Sequence, residues 1–333
     1  MNNFWDNLPK PFFVLAPMAD VTDVAFRRII AKYSKPAGPD VFWTEFVSAD
    51  GLILAGEKGR NKILKDLEFS ETERPIVAQF FTGRPEMMEK GARIALEMGF
   101  DGVDINMGCP DRGVEKQGAG AALSKNPDLA RQIIRSAKKG VGGKIPVSVK
   151  IRLGYNKDEL EDWLPAILAE SPAAVTIHAR TRKEMSKVPA KWDRIEKAVQ
   201  IRNELKSESR IIGNGDVVDL SDAKKKALQT GADGIMLGRA IFGNPWLFSE
   251  HCPDPKERLL ALSEHIKLFD ELLSDFKNFF IMKKHFKAYI SGWLACRDAN
   301  GVGRDGAKEL RDKMMEARDA REALAILENF LKK

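Results

Sequence analysis

Eight short apolar runs, each followed by a polar or glycine-bearing loop and mostly separated by amphipathic stretches, constrain this chain more than any other feature. They span roughly 12–16 (FFVLA), 41–46 (VFWTEF), 75–80 (PIVAQF), 103–106 (VDIN), 145–151 (IPVSVKI), 173–178 (AAVTIH), 210–213 (RIIG) and 234–237 (GIML). Runs of this length, rich in β-branched and aromatic residues and bounded by turn residues, read as buried strands. Strands alternating with helices predict parallel βαβ units, and eight such units predict a (β/α)8 TIM barrel.

In that architecture chemistry collects at the carboxyl ends of the strands. The residues found there are Ala16, Pro17 and Met18, then Glu45, Gln79, Asn106 and Cys109. Lys150 with Arg152, His178 with Arg180, Asn214 with Gly215 and Asp216, and Gly238 with Arg239 complete the ring. Any one of these is an ordinary loop polar, because loops are polar anyway. A polar or glycine device at all eight ends predicts a site. Cys109 is the most pointed of them: a buried-strand pattern ends in Asn106, Met107 and Gly108 immediately before the thiol and Pro110, so the thiol faces a ligand rather than a core.

The 333 residues leave room for a smaller appendage beyond one large domain, and 44% hydrophobic content is that of an ordinary globular protein. The amino end has too short an apolar segment for a membrane span and lacks a signal peptide's order of charge, apolar core and cleavage site. The expectation is a cytoplasmic protein, a monomer, with no membrane association. Cys109, Cys252 and Cys296 lie far apart with no CxxC or Cys/His ligand spacing, which argues against a disulfide framework and a structural metal. Cys252 and Cys296 read as inert.

The barrel is expected to end after NPWLF (244–248), where HCPDP (251–255) supplies a proline-punctuated linker. This divides the chain into a barrel at 1–250 and a small helical bundle at 251–333, with helices near 256–275, 279–293, 305–316 and 319–331. The net charge of +6 is a mild excess, but its distribution is uneven. No acidic residue stands between Asp275 and Asp298, where Lys277, Lys283, Lys284, Lys287 and Arg297 lie among aromatics. Phe279, Met282, Phe286, Tyr289, Ile290 and Trp293 follow three-and-four spacing and form a core-facing stripe. Lys283, Lys284 and Lys287 then share an outward face, which is either simply solvated or a contact for a phosphate backbone.

Two glycine loops, Gly213-Asn214-Gly215-Asp216 after the seventh run and Gly238-Arg239 after the eighth, stand where many barrels hold a phosphate. Glycine lets backbone N–H groups approach an anion closely. Lys150 and His178 would point at the barrel mouth nearby. A Schiff-base lysine of an aldolase is one reading of Lys150, but it leaves Cys109 and the apolar Ala16-Pro17-Met18 floor unexplained. A flat redox-active ring needs an apolar bed, a cation near its electron-rich edge and amide contacts such as Gln79. Flavin mononucleotide (FMN) fits that description.

On these residues the chain resembles the tRNA-dihydrouridine synthases. APMADVTDVAFR at 16–27 is similar to the family's opening signature, and DINMGCP at 104–110 to its most specific motif. GAGAAL (118–123), SVKIRLG (148–154), TIHARTR (176–182), IIGNGDV (211–217) and GIMLGRA (234–240) extend the match over nearly the whole barrel, and MKKHFKAY (282–289) carries it into the tail. The resemblance implies that Ala16, Pro17 and Met18 line the flavin, that Gln79 and Lys150 contact its ring, and that His178 sits against it. Asn214, Gly215, Asp216, Gly238 and Arg239 would hold the ribityl phosphate. Cys109 matches the family's general acid and Asn106 a residue that positions the target uracil. Arg180, Lys283, Lys284 and Lys287 would contact the RNA.

The reaction so implied is reduction of uridine to 5,6-dihydrouridine in tRNA, with NADPH as a transient reductant and no Rossmann-type nicotinamide motif in the chain. Hydride reaches carbon 6 from reduced flavin, and a proton reaches carbon 5 from Cys109. Two loops depart from better-known members. Asp111-Arg112-Gly113 stands where a lysine pair is common, and KEMSKVPAKW (183–192) lacks a frequent tyrosine and glycine. These differences bear on which uridine is chosen. The rival readings are a free-pyrimidine flavin oxidoreductase of the dihydroorotate dehydrogenase type and a nonenzymatic RNA-binding module.

Overall fold

The computed structural model describes residues 3–291 and 306–332. Among the described residues nine parallel strands occur: β1 (Phe12–Leu15), β2 (Phe42–Trp43), β3 (Val47–Ser48), β4 (Ile76–Phe81), β5 (Gly102–Met107), β6 (Val147–Arg152), β7 (Ala174–His178), β8 (Arg210–Asn214) and β9 (Gly234–Leu237). Eight of them run in the order β1-β9-β8-β7-β6-β5-β4-β2, with β3 pairing onto the end of β4. The expected run at 41–46 is therefore shorter, and a two-residue strand follows it. The barrel closes between β1 and the β2 approach through Asp40 N–H to Phe13 O at 2.9 Å and Leu15 N–H to Val41 O at 3.4 Å. The predicted TIM barrel is the observed fold.

Side-chain parity on the strands sorts the core into two layers. Alternate residues Val103, Ile105 and Met107 of β5, Val147, Val149 and Ile151 of β6, and Val175 and Ile177 of β7 pack outward against the helices. Phe12, Val14, Trp43, Val77, Ala174, Ile212 and Met236 form a separate cluster inside the barrel, with Trp5. Because the strand period is two, Gln79, Asn106, Lys150, His178 and Asn214 share the inward face with that cluster. Their ladder positions bring them together: Asn106 is registered with Lys150, and His178 with Asn214.

Helices Pro255–Leu273, Lys283–Ser291, Ala307–Glu316 and Ala320–Leu331 follow. The first opens on a capping box in which Asp254 accepts from Glu257 N–H and Glu257 from Asp254 N–H. It docks on barrel helix Val24–Ser34, where the rings of Phe26 and His265 stack at 4.8 Å and Arg258 donates to Gly243 O at 2.8 Å. Met282, Phe286, Tyr289 and Ile290 are buried as their spacing predicts. Trp293, Cys296, Arg297, Gly301 and Gly303 lie outside the described residues. No helix among the described residues is long and apolar enough to cross a membrane.

Candidate active site

A cavity of about 640 Å³ opens at the carboxyl ends of the strands. Cys109, Asn106 and Arg180 line it together with Ala16, Pro17, Met18, Gln79, Lys150, His178, Asn214, Gly215, Asp216, Gly238 and Arg239. These residues come from seven strand ends, and the inward parity of the strands is what gathers them. A larger groove of about 1180 Å³ lies at the opposite end of the barrel. Most of its cations are engaged: Lys10 and Arg202 with Asp233, Arg210 with Asp6, and Lys138 with the Glu170 and Ser171 carbonyls. Chemistry therefore belongs to the smaller cavity.

Cys109 is held by its main chain. Its N–H and that of Gly108 both donate to Asn106 Oδ1, at 2.9 and 3.1 Å, and its carbonyl accepts from Ala121 N–H at 2.9 Å. Gly120 sits at φ +60°, where a Cβ would lie 2.7 Å from the Cys109 carbonyl oxygen. The GAGAAL segment thus needs glycine there to pack against the thiol loop. Arg152, nearly buried, donates Nε–H to Gly108 O at 2.8 Å and Nη1 to the Thr181 and Met185 carbonyls. It clamps the thiol loop to the loop after β7. Burial pushes the Cys109 thiol up from its ordinary value, which keeps its proton in place at neutral pH.

An amide relay connects this loop to the barrel interior. Asn106 Nδ2 donates to Gln79 Oε1 at 3.2 Å, and Gln79 Nε2 donates to Asp104 Oδ2 at 2.6 Å. Gln79 therefore orients Asn106 as well as lining the cavity. Lys150 Nζ donates to Asn214 Oδ1 at 3.3 Å, and Asn214 Nδ2 to Met236 O at 2.8 Å. Burial, with Arg152 nearby, lowers the Lys150 ammonium to about 8. His178 is held neutral by burial and by the surrounding Lys150 and Arg152 cations. Its Nε2 lies 3.1 Å from Arg180 Nη1. A guanidinium only donates, so Nε2 accepts and the imidazole proton resides on Nδ1.

The glycine loops form a cationic corner. Gly215 stands at φ +132°, and a Cβ there would lie 2.8 Å from Ala190 Cβ and 3.4 Å from His178 Cδ2. Asp216 does not offer its carboxylate outward. It accepts from Arg180 Nη2, from Arg239 Nη2 at 2.7 Å and from Ala190 N–H at 2.9 Å. A carboxylate so engaged orients two arginines beside the corner. Arg239 keeps an exposed side chain. This cradle, closed to a Cβ and flanked by two guanidiniums, fits one phosphate group, and the Ala16-Pro17-Met18 floor fits a flat ring.

The helical lysines are not among the residues that line the cavity. Lys284 and Lys287 are exposed on helix Lys283–Ser291. Lys283 instead donates to Met315 O at 2.6 Å and lies over the Phe280 ring at 4.4 Å, so it is partly committed within the tail. Arg180 is buried, with Nε–H donating to Val188 O at 2.6 Å. Phe46, Ser186 and Val217 also line the cavity. Of these, Ser186 carries the clearest sequence signal, because it lies in the unusual 183–192 loop. Among the described residues no group of three or more His, Cys, Asp or Glu is arranged to hold a metal.

Residues 14–333 match the family described as dihydrouridine synthase (Dus). A "Probable tRNA-dihydrouridine synthase" of Staphylococcus aureus (strain COL) is 40% identical over 332 residues, covering 98% of this chain and 95% of that one. A "Probable tRNA-dihydrouridine synthase 2" of Bacillus subtilis (strain 168) is 40% identical over 335 residues, covering 99% and 97%. Among solved structures, histamine dehydrogenase from Rhizobium sp. 4-9 shares the barrel with a TM-score of 0.52 and 13% identity, over 77% of this chain and 48% of that one. That likeness is one of fold. The match along nearly the whole sequence, on a barrel whose mouth carries the family's motifs, places this chain in the dihydrouridine synthase family of flavin oxidoreductases.

Proposed function

We propose that this enzyme reduces uridine to 5,6-dihydrouridine in tRNA, with FMN bound at the barrel mouth, NADPH as the reductant and Cys109 as the proton donor. The observation that carries the reading is the convergence on one cavity of a protonated thiol, an inward lysine and histidine, and a glycine cradle flanked by arginines. In this reading residues 1–250 are the catalytic unit and 251–333 the RNA-binding unit.

A flavin bound here would supply the hydride that uracil reduction needs at carbon 6. The chain's own groups do the rest. Gly215, Gly238 and Arg239 would hold the phosphate, Ala16, Pro17 and Met18 would bed the ring, and Lys150 would place positive charge near it. The Nδ1–H of His178 is the donor available to a ring oxygen. Asn106, oriented by Gln79, fixes the thiol loop and offers its amide to the base. Cys109 delivers its proton to carbon 5 as enolate character develops; a thiol that stays protonated yet can donate suits that step.

A base inside a folded RNA must leave its stack to reach this depth, at a cost of about a few kcal/mol, and phosphate contacts offset that cost. Purified protein is expected to be yellow and to oxidise NADPH faster when unmodified tRNA is added. A colourless protein that binds tRNA would favour the RNA-binding module, and stimulation by a free pyrimidine in place of tRNA would favour the dihydroorotate dehydrogenase type.

Replacing exposed Lys284 and Lys287 together with Glu reverses the field on the tail. Binding of tRNA should weaken, and its log–log salt dependence should flatten by about 0.7–0.9 for each phosphate that is no longer neutralised, while flavin content holds. Filter binding from low to moderate salt reads this. An unchanged slope would mean that this face is merely solvated.

A further inference from the structure

Lys277 belongs by sequence to the acid-free basic stretch, yet its side chain is only 9% exposed. It lies between helix Pro255–Leu273 and the turn Phe279–Met282, with its N–H donating to Leu273 O at 2.8 Å. Its ammonium pairs with the Glu45 carboxylate and with Asp66 at 3.0 Å. Burial alone would lower that ammonium, but Glu45 and Asp66 outweigh burial and hold it above its ordinary value. Glu45, in turn, follows β2 and is 6% exposed. Lys277 is thus a buried tie from the C-terminal helices to the barrel mouth rather than part of an RNA-facing surface.

The tie continues into the cavity floor. The other oxygen of Glu45 accepts the N–H of Asp20. Asp20 stands at φ +55°, a left-handed conformation that is costlier for a residue with a Cβ than for glycine, though less so for aspartate than for most. It lies two residues beyond Met18. The same loop is fixed on its other side by Thr22, whose hydroxyl accepts Met18 N–H at 2.9 Å and whose N–H donates to Met18 O at 3.0 Å. Ala16 is tied to β9 by its N–H to Leu237 O at 2.8 Å, whereas Pro17 and Met18, which also line the cavity, are carried by a loop whose side-chain supports are Thr22 and Glu45.

The geometry points to Lys277 as a positioning residue: through Glu45 and the Asp20 N–H, the C-terminal helices set the apolar floor on which the cofactor lies. This rests on the reading of the cavity as the flavin site. Burial already raises the Glu45 carboxyl to about 7 against the pull of Lys277, and without Lys277 it is left buried beside Asp23 and Asp66, which push it higher still. Charge alone then favours its protonation or withdrawal, and its hold on Asp20 weakens.

The test titrates FMN into deflavinated full-length protein without tRNA, following quenching of flavin fluorescence, with thermal unfolding measured alongside. Lys277→Met should raise the FMN dissociation constant about tenfold or more, the scale set by releasing one strained backbone residue. Lys277→Arg should retain parent affinity. Adding Asp20→Gly to Lys277→Met should restore much of the loss, because glycine adopts the left-handed conformation unaided, and a purely structural role for Lys277 predicts no such rescue. Should Lys277→Met fail to fold, Glu45→Gln reads the same link, since it keeps an acceptor for Asp20 but weakens the hold of Lys277; an intermediate loss supports the proposal. Parent-like FMN affinity in folded Lys277→Met or in Glu45→Gln overturns it, as does a loss that Asp20→Gly leaves untouched. A parent protein that binds no FMN would instead overturn the cofactor reading itself.

Discussion

Cys109→Ala should retain its flavin and its reduction by NADPH while dihydrouridine formation falls by about a hundred- to ten-thousandfold, the usual worth of a positioned general acid. The hydrogen bonds that hold Cys109 are made by its main chain, to Asn106 and from Ala121, so alanine leaves the loop in place and removes only the proton donor. The thiol packs among Phe81, Val114 and Ala119, and loss of one partly buried sulfur leaves the fold intact. The pH dependence follows from burial, which raises the thiol's pKa. The donor is competent while protonated, so the parent's rate should hold through neutral pH. The thiol's contribution should be lost only as pH rises past the ordinary thiol range. Quantifying dihydrouridine in tRNA after timed incubation checks both, and near-normal turnover by Cys109→Ala would remove the thiol from the mechanism.

Gly215→Val should give a protein that purifies largely colourless. At φ +132° any side chain is strained, by about 1–3 kcal/mol. Here a Cβ would also press on Ala190 Cβ at 2.8 Å and approach His178 and Arg180. The loop must shift, and it carries with it Asp216, which orients Arg180 and Arg239. Strain and lost cradle act together, so FMN affinity should drop by at least about a hundredfold, with a lower melting temperature as well. Gly238→Ala is the contrast. Its Cβ would meet Ala16 and Met18 only at 3.7 Å, so thermal unfolding should stay near the parent's. Full flavin occupancy in Gly215→Val would show that the phosphate lies elsewhere.

Much of the barrel was legible in the sequence because apolar runs, period-two parity and glycine loops are local signals. Those signals placed Lys150, His178 and Asn214 at strand ends, and parity then faces them inward. What local patterns cannot carry is the identity of a distant partner. Lys277 reads as part of a basic island because its counter-charges, Glu45 and Asp66, lie more than two hundred residues earlier. Asp216 reads as a phosphate-loop residue because the arginines that occupy its carboxylate come from two other loops. Lys283 falls on the outward face by spacing, and only the packing of helix Ala307–Glu316 brings the Met315 carbonyl to it. Arg152 is visible as a strand-end residue, but its clamp on Gly108 depends on the β5–β6 register.

On the proposed function, flavin oxidation at this cavity is coupled to uracil reduction in tRNA. Anaerobic mixing of fully reduced, FMN-loaded protein with unmodified tRNA tests it in one turnover. Flavin absorbance should return and dihydrouridine should appear in equal amount, with free uridine unable to substitute. Reoxidation without dihydrouridine, or equal reoxidation by a free pyrimidine, would contradict it.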